Sequence, residues 1–186
     1  MATEWFVIVN PNAGKRKGQQ DWLTIARLLT EAGIDYINIF TEHRDHAMHL
    51  AHKYIEKGFR NIIVVGGDGT LNEVVNGIFT QSTIEPTEIR LGMIPVGTGN
   101  DWCRMYHISN DYKEAIDAIA TGNEFLQDAG SVRYFNSLGI EKTRYFINMA
   151  GMGFDALVAK KTNRQKDQGK GGTFSYFINI FSSLFA

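Results

Sequence analysis

The stretch Asn61-Ile62-Ile63-Val64-Val65-Gly66-Gly67-Asp68-Gly69-Thr70 decides the fold. Ile62 to Val65 are four β-branched residues with no polar break, the pattern of a strand buried on both faces. The run stops on glycines, and Thr70–Phe79 then reads as a short helix. A buried strand passing through a tight turn into a helix is the unit of an open α/β sheet.

The same unit repeats outward from this stretch. Residues 5–10 form an apolar, β-branched run that ends in Asn10-Pro11-Asn12, a turn signal. A small, basic loop follows to Gly18. Residues 19–32 place Trp22, Leu23, Ile25, Ala26, Leu28 and Leu29 at helical spacing, and Gly33 stops the helix. Tyr36–Phe40 is a second strand, and residues 45–57 a helix with Asp45 as its cap and Gly58 past its end. Leu91–Val96 is a fourth strand. Asp111–Thr121 is a helix with Ala115, Ile116 and Ile119 on its inner face. Strands alternating with helices predict an open, mostly parallel sheet with helices on both faces. The texture changes near Gly122. Glu124–Asp128, Ser131–Tyr134 and Arg144–Met149 are strand-like, with no helix between them. The expected division is an α/β nucleotide-binding domain over 1–121 and a β-rich, incomplete lipid-substrate domain over 122–186.

Composition narrows the function classes. The chain has 186 residues, 44% hydrophobic and 21% charged, ordinary values for a globular protein. A net charge of −1 gives no general attraction to nucleic acid. The single cysteine, Cys103, excludes an internal disulfide framework and fits a reducing, cytoplasmic compartment. No apolar run approaches the roughly 18–20 residues of a membrane span. A peripheral enzyme acting on a membrane substrate needs none.

Three loops at strand ends carry the chemistry. In Gly66-Gly67-Asp68-Gly69-Thr70, successive glycines let backbone N–H groups approach a phosphate, and the following helix aims its N-terminal dipole at the same place. Asp68, as the catalytic candidate, either holds Mg²⁺, directly or through water, or takes a proton from an attacking hydroxyl. The structural alternative is a tight turn, with Thr70 and Glu73 forming a capping box. The second loop is Pro95-Val96-Gly97-Thr98-Gly99-Asn100-Asp101. It is not a dinucleotide fingerprint, because Trp102 stands where the third glycine belongs. Its place at the end of another strand of the same sheet would bring it to the same crevice. The third loop, Asn10-Pro11-Asn12-Ala13-Gly14-Lys15, lacks P-loop spacing and alone reads as an ordinary turn.

Together the three loops resemble the diacylglycerol kinase catalytic-domain family, particularly its bacterial lipid kinases, with sphingosine kinases as relatives. The matching stretches are Asn10–Gly14, Thr41 with His46-Ala47, Gly66–Glu73 with Asn76-Gly77, and Pro95–Asp101. Asp128-Ala129-Gly130 and Asn148–Asp155 also look like family positions. Trp102-Cys103 and Ala129 depart from the usual pattern. The resemblance implies ATP and Mg²⁺ as cofactors and a hydroxyl-bearing lipid at the membrane surface as substrate. It implies nucleotide contacts at Asn10, Pro11, Asn12, Ala13 and Gly14, and at Thr41. Further contacts are implied at Gly66, Gly67, Asp68, Gly69, Thr70, Leu71, Asn72 and Glu73, and at Gly97 and Thr98. It places Asp155 near the lipid head group. Family members carry a further catalytic acid and Mg²⁺ ligands downstream, which would lie beyond Ala186. The chain is therefore expected to be an incomplete, inactive piece whose exposed apolar edges are covered by disorder, self-association or crystal neighbours, a homodimer being one form.

Other features carry less. His43, His46, His49 and His52 recur every three residues, and each step of three turns a helix by about −60°, so four cannot converge on one ion. No metal-ligand residues are assigned. Cys103 reads as a small buried hydrophobe. Phe174, Phe177, Ile178, Phe181, Leu184 and Phe185 read as a core helix stripe, and the basic residues of 160–170 as a solvated face. The reading is an ATP-dependent lipid kinase acting on diacylglycerol or a related lipid; sphingoid bases, phosphatidylglycerol-like lipids and isoprenoid alcohols present the same hydroxyl and are alternative acceptors. The alternatives are an NAD kinase, which shares the Gly-Gly-Asp-Gly loop, and a non-catalytic nucleotide- or lipid-binding module.

Overall fold

A computed structural model describes residues 4–151. Asp155, the basic residues of 160–170 and the Phe174–Phe185 stripe lie outside the described residues. Met1–Asn148 form one compact unit. Its centre is a four-stranded sheet of β1 (Trp5–Val9), β2 (Tyr36–Phe40), β3 (Asn61–Gly66) and β4 (Arg90–Pro95), in the order β2-β1-β3-β4. All three pairings are parallel. The helices are α1 (Ala13–Gln20), α2 (Trp22–Glu31), α3 (His46–Glu56), α4 (Asp68–Thr80), α5 (Asp101–Met105) and α6 (Tyr112–Thr121). The doubly covered parallel sheet is the architecture the alternating pattern predicts.

The core divides by strand alternation. Phe6 and Ile8 of β1, with Ile62 and Val64 of β3, pack with residues of α3 and α4. Val7, Val9, Ile63 and Val65 point the other way, onto Ile25 and Leu29 of α2 and Ile116 of α6. Every residue of β3 is buried. The sheet's outer strand β2 is only half-buried, as helices cover its flanks less completely. Leu23 fits the helical spacing of α2 but is 81% exposed, because only Ile25 and Leu29 of that helix turn fully onto the sheet.

Helices α3 and α4 touch backbone to backbone. A methyl group added at Gly77 would sit 2.7 Å from Ala51 Cβ and would run into the Met48 carbonyl oxygen. Glycine is the residue that permits this approach. At the other end of the sheet order, α6 has Asp111 as its N-cap, whose Oδ1 accepts from Glu114 N at 3.1 Å, and Gly122 closes it at φ +70°.

After α6 the chain forms an antiparallel hairpin of β5 (Gly130–Phe135) and β6 (Glu141–Phe146). The strand expected over 131–134 lies within β5, the one expected over 144–149 forms earlier, as β6, and 124–128 forms none. That segment is held by side chains instead. Glu124 pairs with Arg90 at 2.7 Å, and Gln127 accepts from Trp102 Nε1 at 2.9 Å while donating to the Ile147 carbonyl at 2.6 Å.

The contact at Gly77 generates a stability prediction. Gly77→Ala gains helix propensity, yet its Cβ meets backbone that cannot rotate away. Urea denaturation is expected to show a net loss of about 1–3 kcal/mol. An unchanged or raised midpoint would mean that α3 and α4 have slack between them.

Candidate functional site

The order β2-β1-β3-β4 puts a topological switch point between β1 and β3, where the crossover connections leave in opposite directions. Open α/β sheets bind ligands in the crevice at such a point, outside the strand carboxyl ends. The loops after β1 and β3 border it, and the loop after β4 lies against both. A methyl at Gly97 would stand 2.7 Å from Gly67 Cα, and one at Gly67 would stand 3.1 Å from Gly97 Cα. Gly14 meets the Val96 carbonyl so closely that no Cβ fits. The structure therefore brings Gly14, Gly67 and Gly97 together.

The loop after β1 is tied to the loop after β3 by short polar side chains. Asn10 Nδ2 donates to Thr70 Oγ1 at 2.8 Å, and Asn10 Oδ1 accepts from Asn12 N at 3.0 Å. Thr41 lies buried just past β2, its N–H on the Val9 carbonyl. Pro11 and Ala13 frame the turn. Gly14, Lys15 and Arg16 then take three successive left-handed conformations, with φ of 60°, 61° and 73°, which interrupt α1. Lys15 and Arg16 pay roughly 1 kcal/mol each for that geometry, a strain that functional loops commonly store.

The glycine loop begins α4. Its N-cap is Gly67, which offers no side-chain cap, so the first N–H groups of a 13-residue helix have no side-chain acceptor there. Gly66 and Gly69 flank it. Asp68 lies in the first turn, and both its oxygens are engaged: Oδ2 accepts from Asp101 N and Oδ1 from Trp102 N, each at 3.1 Å. The carboxylate thus caps α5 and fixes the β4 loop onto α4. Thr98 is exposed at that loop's tip. Asn100, left-handed at φ 52°, is buried with its Oδ1 unpartnered, the one such buried side-chain atom among the described residues.

The rest of the motif has other partners. Leu71 is core. The capping box expected of Thr70 and Glu73 does not form, because α4 starts earlier, at Asp68, and Thr70 faces Asn10. Glu73 instead reaches α3, where Oε1 accepts from Asp45 N at 3.0 Å and Oε2 from Ala47 N at 3.2 Å. Asp45 occupies the cap position of α3 at φ +62° without a side-chain cap, so Glu73 does that work. Asn72 Nδ2 donates to the Tyr145 carbonyl at 3.1 Å. Asn76, outside the expected site set, donates to the same carbonyl at 2.9 Å and accepts from Tyr145 N at 2.9 Å. Arg144 adds a contact to Asn72 at 3.3 Å and an ion pair to Asp45 at 3.7 Å. The matching Asn76-Gly77 pair was the available signal for this junction.

His43 and His46 stack at 4.7 Å between centroids, and His46 Nδ1 accepts from Glu42 N at 3.0 Å. Among the described residues no cluster of His, Cys, Asp or Glu could hold a metal by itself.

Residues 4–132 match the family described as the diacylglycerol kinase catalytic domain. The diacylglycerol kinase of Staphylococcus aureus (strain bovine RF122 / ET3-1) is 35% identical over 178 residues, covering 96% of this chain and 52% of that protein. The same enzyme name in strain MRSA252 gives the same identity and coverage, 35%, 96% and 52%. The crystal structure of a diacylglycerol kinase from Bacillus anthracis str. Sterne superposes with a TM-score of 0.60 at 28% identity, covering 69% of this chain and 47% of that one. The chain spans about half the length of the curated relatives it matches. It belongs to the diacylglycerol kinase catalytic-domain family.

Cys103 offers a direct check of the site's packing. Burial first, and the Asp68 carboxylate second, push its thiol up to about 12. A raised pKa means the reactive thiolate is absent below it. At pH 8 roughly one molecule in ten thousand carries the thiolate. A thiol reagent such as DTNB is expected to leave the native protein unmodified at pH 8 and to react at once after denaturation. Rapid labelling of the native state would show that α5 does not hold Cys103 against the core.

Proposed function

We propose that this member of the diacylglycerol kinase catalytic-domain family binds ATP at the switch point and serves a lipid kinase, with diacylglycerol or a related hydroxyl-bearing lipid as acceptor. The uncapped N-terminus of α4, beginning at Gly67 where no side chain intervenes, is the observation that carries the reading. Unpaired helix N–H groups and the helix dipole both favour phosphate. The close approach of Gly67 to Gly97 leaves backbone, not side chains, on that wall. Asn10–Gly14, with Lys15 and Arg16, would line its opposite side, and Thr98 would reach the nucleotide from the β4 loop.

ATP would enter as its Mg²⁺ complex, so the ion comes with the substrate. Mg²⁺ takes few carboxylates and keeps several waters. Asp68 suits that: two of its roughly four lone-pair positions accept N–H groups, which leaves others for a metal-bound water. Being clamped between α4 and α5, it is fitted to act as a fixed charge rather than as a mobile base. In the reaction the lipid oxygen attacks the γ-phosphorus, the bond from that phosphorus to the β-γ bridging oxygen breaks, ADP leaves, and the hydroxyl proton passes to water. The described residues would position the phosphates and hold charge. The domain division at residue 121, the contact of Asp155 with the head group and a peripheral membrane location belong to the same proposal.

Family membership supports a lipid kinase over an NAD kinase. The intact Asp68 favours a catalytic chain over a binding module.

Titration calorimetry with MgATP tests the nucleotide site. Gly67→Val places a branched side chain between the two glycine loops, and is expected to abolish measurable ATP binding while circular dichroism stays native. Unchanged affinity in a folded variant would refute the assignment. Asp68→Asn keeps the shape, removes the charge and sets an amide donor toward the N–H groups of α5. Where lipid phosphorylation is assayed, it should lower kcat by roughly 10²-fold. A near-normal rate would reduce Asp68 to a helix cap.

A further inference from the structure

The β5–β6 hairpin is fixed at its base and bare at its tip. At the base, the Phe146 ring lies over Gly130, where a Cβ would have to push the ring aside, and Tyr145 is held by Asn72 and Asn76 of α4. Tyr145 also stacks on Phe79 at 4.8 Å. At the tip, the chain turns through Asn136–Ile140 and presents large apolar side chains to solvent. Phe135 is 71% exposed, Leu138 78% and Ile140 50%. Tyr134 stands beside them, across from Lys142 in the strand register.

Two further facts bear on what could cover this tip. First, most of its N–H groups are paired within the turn. Asn136 Oδ1 accepts from Leu138 N and Ile140 N, each at 3.0 Å. Asn136 N donates to the Ile140 carbonyl and Gly139 N to the Asn136 carbonyl, each at 3.0 Å. Each N–H group paired in this way avoids the several kcal/mol penalty of an unsatisfied group leaving water, which lowers the cost of burying the turn. Second, the flanks are cationic. Arg133 and Lys142 are exposed on the two strands. The one acid at the tip, Glu141, lies 3.9 Å from Arg133 Nη1, so that pair is neutral and Lys142 supplies the net positive charge. Apolar tip, aromatic shoulder and basic flank follow the order of an acyl boundary, an interface and anionic headgroups.

We propose that the β5–β6 hairpin tip docks onto an anionic lipid surface, with Phe135, Leu138 and Ile140 entering the headgroup–acyl boundary and Lys142 meeting the headgroups. The proposal gives the lipid-kinase reading a membrane contact separate from the nucleotide loops. It rests on that reading for its purpose, and not for its test.

The test is co-sedimentation of the purified chain, without ATP, with vesicles of phosphatidylcholine alone or mixed with phosphatidylglycerol. Binding is expected to the mixed vesicles and to be much weaker without the anionic lipid. Leu138→Asp should reduce it by about tenfold or more, since one buried leucine is worth that much. Lys142→Glu should weaken only the anionic-lipid component. Leu23→Asp, at an equally exposed leucine of α2, should leave binding unchanged. Circular dichroism confirms folding, and Phe135→Asp is the second tip variant should Leu138→Asp fail to fold. Absent wild-type binding, or binding indifferent to both folded tip variants, overturns the proposal. So does a wild-type dimer, seen by sedimentation velocity, that ignores vesicles and dissociates on Leu138→Asp, because the tip would then meet a second copy. Failure of ATP binding with vesicle binding intact would count against the nucleotide site alone.

Discussion

The burial of β3 on both faces is the constraint from which the rest follows. With helices packed on either side, no side chain of Asn61–Gly66 reaches solvent. A strand enclosed in this way can present chemistry only where it ends. It ends on glycines, at the switch point of the sheet, so the first exposed groups are main-chain N–H groups at the start of α4. The parallel partners β1 and β4 finish at the same level, with Val9 opposite Val65 and Pro95 opposite Gly66, and deliver their own loops there.

What holds those loops in place is a set of short polar side chains bonded to backbone or to one another. Asn10 reaches Thr70, Asp68 reaches α5, Glu73 reaches α3, and Asn72 and Asn76 reach β6. One helix, α4, therefore touches the first loop, the β4 loop, the helix after β2 and the hairpin. Charged and amide side chains that look reserved for a ligand in the sequence are here the joints between elements. The two functions are compatible at Asp68, whose carboxylate has lone pairs to share, and less so at Glu73, whose two oxygens are committed to α3.

The fold was legible because it depends on local pattern. The unbroken Ile62–Val65 run, the glycine stops at Gly33 and Gly58, and the alternation of strand with helix each predict an element from its own residues. The convergence of the three glycine loops was also legible, since all follow strands of one parallel sheet. The partners of Asp45, Glu73 and Asn76 were not. Glu73 reaches Ala47 across 26 residues and Asp45 across 28, and Asn76 reaches Tyr145 across 69, whereas a capping box inside one helix was the cheaper local reading. The segment 124–128 misled for a related reason. Its apolar residues suggest a strand, whereas Glu124 and Gln127 tie it down through side chains, a choice that only tertiary contacts reveal.

The grip of Asn76 on Tyr145 has a consequence for self-assembly. In the hairpin β6 pairs with β5 along one side, and its other side is an open edge able to recruit a foreign strand. At Tyr145 that edge is already closed, since the asparagine amide accepts the N–H and donates to the carbonyl as a neighbouring peptide would. A helix side chain thus impersonates the next strand. An incoming chain would have to displace a bidentate amide, so α4 guards the ribbon against edge-to-edge aggregation at the point nearest the core.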